Sequence, residues 1–119
     1  MPTANELTFA DLIARVRAFS QVRDWEQFHD PKSLLLALMG EVGEIAELFQ
    51  WREASAAAAA AHTEPLASRV ADEVADVLIY LLRFIDVCGV DATGAVVAKL
   101  AINESRFPPG TGAIGHAPI

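Results

Sequence analysis

A chain of 119 residues with 9 basic and 16 acidic side chains carries a formal net charge of −7. That length holds one hydrophobic core, and that charge repels phosphodiester backbones and anionic bilayers, which excludes nucleic-acid polymers and membranes as partners. Hydrophobic residues make up 53% of the chain before its 7 glycines are counted, above the ~45–50% usual with glycine included. A core this small cannot absorb that excess, so an apolar subunit interface is expected.

Cys88 is the single cysteine and falls in an apolar run. A buried thiol in a reducing compartment is expected, with no internal disulfide. Met1 to Glu6 show neither the basic nor the apolar region of a signal peptide, and the apolar stretches 34–40 and 77–82 are too short to span a bilayer. These features predict a cytoplasmic protein.

The first helix is capped by Thr8, with Asp11 three residues on in the reciprocal capping position. Phe9, Leu12, Ile13, Val16 and Phe19 then share one face, and Arg15 and Arg17 fall off it. The periodicity breaks at Arg23-Asp24-Trp25-Glu26-Gln27-Phe28-His29. Two large rings in a connecting segment must pack on something, either the bundle or a ligand.

Asp30 and Pro31 read as an N-cap followed by proline at the first helical position, opening a helix that should run to Arg52. Apolar residues cover most of its circumference, so it is central. Gly40 and Gly43 weaken it by roughly 1 kcal/mol each against alanine and suggest a close neighbour, whether helix or ligand. Six consecutive alanines, Ala56 to Ala61, form either a short helix or a linker on the surface, without chemistry.

Pro65 starts another long helix, to about Cys88, with Gly89 suited to the left-handed residue that ends it. Asp91 caps a last helix, on which Lys99, Asn103 and Arg106 repeat at +4 and +3 before Phe107-Pro108-Pro109-Gly110 stops it. No stretch alternates as a strand does. The predicted fold is all-α: a bundle of four to five helices, in one domain over residues 1–119, with its core at 7–108 and a mobile tail from 109.

Two motifs carry the chemistry: Glu41-Val-Gly-Glu44 on the second helix and Glu73-Val-Ala-Asp76 on the long later one. A spacing of three places each pair on one side of its helix. Four carboxylates in apolar surroundings repel one another and lose hydration, so they call for a hard cation such as Mg²⁺. The other reading is two solvated acidic stripes. Lys99, Asn103 and Arg106 offer donors for phosphate oxygens. Trp25, Phe28, Trp51 and Tyr80 offer flat faces suited to a base. Metal, phosphate and base together describe a nucleoside polyphosphate.

The same conjunction resembles the all-α nucleoside triphosphate pyrophosphohydrolases, called MazG-like, whose signature is Glu-x-x-Glu, a spacer, then Glu-x-x-Asp. The stretch Lys99-Leu-Ala-Ile-Asn103-Glu-Ser-Arg106-Phe107-Pro108 is similar to that family's Lys-x-x-x-Asn-x-x-Arg-Tyr-Pro ending, with Phe for Tyr. Within the family, residues 23–29, 40–44 and 48–51 resemble the animal dCTP pyrophosphatases. The resemblance covers about Leu7 to Pro108. It implies a homotetrameric MazG-like bundle, Mg²⁺ as cofactor, and hydrolysis of dCTP or a modified dCTP to the monophosphate and pyrophosphate, as in nucleotide-pool sanitation.

By that resemblance Glu41, Glu44, Glu73 and Asp76 are the catalytic metal ligands. Trp25, Glu26, Gln27, Phe28, His29, Trp51 and Tyr80 contact the nucleoside, and Lys99, Asn103 and Arg106 the phosphates. One position departs: the animal enzymes have a substrate-contacting His where this chain has Val16, which bears on base preference. Two rivals stand beside this reading. A di-iron bundle needs Glu-x-x-His pairs, whereas His29, His62 and His116 all fall outside the predicted helices. A non-enzymatic helical oligomerisation module would leave the acidic faces solvated.

Overall fold

A computed structural model describes residues 2–110. Residues 111–119 of the expected mobile tail, and His116 with them, lie outside the described residues. Five α-helices follow one another, with no strand among the described residues: α1 (Phe9–Gln21), α2 (Pro31–Phe49), α3 (Ala54–Ala61), α4 (Leu66–Cys88) and α5 (Ala92–Arg106). The chain divides into two compact units, Met1–Cys88 and Gly89–Ile119.

The helix starts follow from local chemistry. Thr8 Oγ1 accepts from the Asp11 N–H at 3.1 Å while Asp11 Oδ2 accepts from the Thr8 N–H at 2.9 Å, so two donors with no intrahelical partner are satisfied together. Asp30 Oδ1 takes the Ser33 N–H at 2.9 Å, and Pro31 needs no such partner. Asp91 does the same for Gly94 at 3.1 Å.

α2 ends three residues before the expected Arg52. Arg52 folds back, and its Nε donates to the Leu48 carbonyl at 3.0 Å, taking an acceptor that continued helix would have used. The turn lets α3 begin at Ala54, so the alanine run is helical and not a linker. α4 begins at Leu66, one residue after Pro65, and closes at Gly89 with φ +65°.

In the first unit α4 is the hub: α2 packs along it, and α1 and α3 also rest on it. The buried centre is small, with Leu34 from α2 and Leu66, Leu82 and Ile85 from α4. Two polar side chains are buried with them, Ser20 and Arg83. Leu35, Leu36, Met39 and Val42 on α2, with Leu78, Ile79 and Leu81 on α4, stay exposed. This is the apolar surplus that composition anticipated. A Cβ placed on Gly40 or Gly43 would meet nothing within 4 Å, so the chain itself supplies no close neighbour there. Cys88 is exposed, against the expected buried thiol, because it is the last residue of α4, beyond the packed turns around Leu82 and Ile85.

Candidate active site

α2 and α4 lie side by side, and their acidic pairs meet. One carboxylate oxygen from each of Glu41, Glu44, Glu73 and Asp76 lies within 4.8 Å of all the others. Glu44 is exposed and the other three are half-buried. Glu41 Oε2 and Glu73 Oε2 are buried with no hydrogen-bond partner. Burial, then the Glu44 charge, pushes the Glu41 carboxyl above its ordinary range. Glu73 is pushed up to about 7, first by a hydrogen bond shared with Glu44, then by burial and the charges around it.

Two orphaned oxygens among four crowded acids are an energetic deficit that a cation removes. The donor set is all oxygen, with no imidazole or thiolate in the cluster, which suits a hard ion such as Mg²⁺ and not the softer transition metals. The solvated-stripe alternative fails on these burial facts. The di-iron alternative fails on the ligand set.

Beside the cluster is a cavity of about 200 Å³, with Glu41 and Asp76 in one wall and Val16, Trp25, His29, Tyr80 and Arg83 among the others. Its aromatic wall is built by a reversal after α1. Asp24 takes a left-handed conformation at φ 56°, and the Trp25 N–H donates to the Ser20 carbonyl at 3.0 Å. The indole thereby meets Phe19 edge-on, 5.7 Å between centroids at 70°. Gln27 Nε2 holds the same turn by donating to the Asp24 carbonyl at 2.9 Å. Tyr80 arrives from α4, one turn after Asp76.

Of the residues singled out from sequence, Glu41, Asp76, Trp25, His29 and Tyr80 share this cavity. Glu44 and Glu73 face a second cleft, with Glu47 and Arg69. Phe28 is 63% exposed and Trp51 90% exposed. Trp51 lies past the end of α2, in a separate cleft with Arg52 and Arg69. Glu26 stands 3.9 Å from the Arg83 guanidinium. In the second unit Lys99 and Arg106 are exposed and Asn103 half-buried along α5, and the Arg106 guanidinium stacks 5.1 Å above the Phe107 ring.

Sequence reasoning singled out His29 and Glu26 but missed Arg83 and the Asp86 that pairs with it. Arg83 Nε donates to His29 Nδ1 at 3.0 Å and its other arm to Asp86 Oδ2 at 2.7 Å, while Arg17 also grips Asp86. A signal was present. Asp76, Tyr80 and Arg83 fall at i, i+4 and i+7, so the functional stripe of α4 runs one turn further, into the apolar stretch around Leu82 and Ile85.

No protein-family model matches the chain. It is 44% identical over 103 residues to dCTP pyrophosphatase 1 of Rattus norvegicus and of Homo sapiens, covering 87% of this chain and 61% of each relative. The Bos taurus protein of the same name is 42% identical over 105 residues. The chain thus spans about 61% of the length of the curated relatives it matches. The crystal structure of a pyrophosphatase from Archaeoglobus fulgidus superposes with a TM-score of 0.78 at 32% identity, over 91% of this chain and 99% of that one. The fold, the paired acidic motifs brought together on α2 and α4, and likeness over nearly the whole of a solved pyrophosphatase lead to one assignment. The chain belongs to the MazG-like, all-α nucleoside triphosphate pyrophosphohydrolase family.

Proposed function

We propose that the protein is a Mg²⁺-dependent nucleoside triphosphate pyrophosphohydrolase that converts dCTP, or a modified dCTP, to the monophosphate and pyrophosphate. The observation that carries this reading is the adjacency of the four-carboxylate cluster to an aromatic-walled cavity. The curated relatives named as dCTP pyrophosphatases support the choice of base.

Glu41, Glu44, Glu73 and Asp76 are the residues that would hold the cation. When bound, it supplies neutralising charge to the phosphate oxygens and to the leaving pyrophosphate. Trp25 and Tyr80 stack the base. A carboxylate of the cluster orients the attacking water and accepts its proton. Glu26, Gln27, Phe28, His29 and Trp51 as further nucleoside contacts, and Lys99, Asn103 and Arg106 as phosphate donors, rest on the family resemblance. The exposed apolar side chains of α2 and α4 and the open glycines 40 and 43 favour a homotetramer, in which such faces are covered. No helix among the described residues is long and apolar enough to cross a membrane, and a cytoplasmic role in clearing unwanted nucleotides fits the substrate.

The test is hydrolysis of a panel of nucleoside triphosphates in ¹⁸O-labelled water with Mg²⁺, products resolved by mass. Label in the monophosphate and unlabelled pyrophosphate are expected, fastest with a cytosine base. Single phosphate with a diphosphate product would overturn the bond assignment. No turnover of any triphosphate would overturn the function.

A further inference from the structure

His29 is held by a side chain that can only donate. The Arg83 guanidinium does not lose its proton in a protein and has no acceptor. Its Nε is 3.0 Å from His29 Nδ1. Nδ1 must therefore be the unprotonated nitrogen of a neutral ring, and the proton must sit on Nε2. Burial and the positive charge of Arg83 both hold the imidazole below its ordinary pKa, opposed only by Glu26. Arg83 is itself fixed: it is 7% exposed and gives one arm to Asp86 at 2.7 Å, and Asp86 in turn is gripped by Arg17 from α1.

We propose that Arg83 is a positioning residue that locks His29 into the Nε2–H tautomer, so that the cavity presents one fixed donor to an acceptor on the nucleoside. Both side chains line the cavity that Trp25 and Tyr80 also wall. With Nδ1 engaged by Arg83, Nε2 is the ring atom left for a ligand. A fixed N–H selects an acceptor, such as a pyrimidine carbonyl or ring nitrogen, and rejects a donor at that point, which stacking alone cannot do. Neither half of the device acts without the other: without Arg83 the ring can turn or exchange tautomers, and without His29 the guanidinium has nothing to orient. This inference rests on the proposed nucleotide-binding role of the cavity.

The primary test reads the wild-type chain. Long-range ¹H–¹⁵N NMR of the histidine-labelled full chain, with His29 assigned by loss of its signal in His29→Gln, reads which nitrogen bears the proton. Nε2–H is expected across neutral pH, and Nδ1–H or an equal mixture would overturn the proposal. Arg83→Met should then scramble the tautomer and raise KM for dCTP roughly tenfold with kcat little changed, the loss of about one oriented hydrogen bond. His29→Gln removes the tautomer choice while placing an amide N–H near the old Nε2, so adding Arg83→Met to it should raise KM, relative to His29→Gln alone, far less than Arg83→Met does in the wild-type chain. An Arg83→Met chain that scrambles the tautomer but keeps its KM would also overturn the role. If Arg83→Met does not fold, the wild-type tautomer and the His29→Gln against His29→Asn comparison still decide, because Asn places its amide near Nδ1 and should bind poorly. The tautomer is read without substrate, so its failure is separable from a failure of the triphosphate screen.

Discussion

Arg17 on α1 and Asp86 on α4, 69 residues apart, form a two-pronged ion pair, with Arg17 Nε 2.8 Å from Asp86 Oδ2 and its Nη2 2.5 Å from Oδ1. Asp86 also receives Arg83, so one carboxylate ties α1 to the buried arginine that holds His29. Removing that carboxylate leaves Arg83 charged, buried and unpaired on that side. Asp86→Ala should therefore lose on the order of 3 kcal/mol of stability in urea unfolding. A change of less than about 0.5 kcal/mol, the usual size at an exposed surface pair, would contradict it.

The same pair sets an acid limb of stability. The Arg17 hydrogen bond holds Asp86 below its ordinary 3.8. The stabilisation is complete above that ordinary value, and it is lost as pH falls through the lower folded-state pKa. Arg17→Met should flatten this part of a plot of Tm against pH. An unchanged acid limb would show that other carboxylates govern it.

Glu73 works in the opposite direction. Its carboxyl rises from the ordinary 4.5 to about 7 in the folded chain. Between those two values the native state holds a proton that the unfolded chain has released, so metal-free stability should fall as pH rises from about 4.5 to 7. Mg²⁺ should reverse that slope by replacing the proton. Thermal melts over this range, with and without MgCl₂, check it, and Glu73→Gln should reduce the decline, leaving the smaller share that the raised Glu41 contributes. A metal-free Tm that climbs steadily through the window would refute the crowded-acid account.

Glu44→Gln keeps volume but removes one negative oxygen donor and one source of repulsion against Glu41 and Glu73. Turnover should drop by at least about a thousandfold, at saturating Mg²⁺, as when a whole ligand or charge stabiliser is lost. The metal-free melting temperature should rise, and circular dichroism should be unchanged. Near-wild-type turnover would remove Glu44 from the machinery.

Base selectivity separates two positions of the same cavity. The stacking role proposed for Trp25 would tolerate any base, so Trp25→Ala should raise KM for all pyrimidine triphosphates together, by roughly tenfold or more. Val16 is half-buried in the same cavity and carries no hydrogen-bonding side chain. Val16→His should change the ratio of kcat/KM between dCTP and dTTP. Steady-state kinetics on both substrates decides, and identical ratios would show that this position does not read the base.

What the sequence determined by itself is everything that acts within about one helical turn. The Thr8–Asp11 box, the Asp30 and Asp91 caps, the left-handed Gly89 and the pairing of Glu41 with Glu44 and Glu73 with Asp76 all depend on spacings of three or four residues, which helical geometry converts directly into proximity. Spacing could not tell that the two acidic pairs close to 4.8 Å, since that depends on how α2 rolls against α4. Nor could it tell that Arg52 turns back on Leu48 and carries Trp51 out of the helix, or that Cys88 lies beyond the packed turns. The ties from Arg83 to His29, across 54 residues, and from Arg17 to Asp86 exist only once helices are packed. A charged residue inside an apolar stretch is legible in sequence, but which distant partner neutralises it is a matter of tertiary geometry, because the energy of burying that charge is balanced only by the group that the fold brings to it.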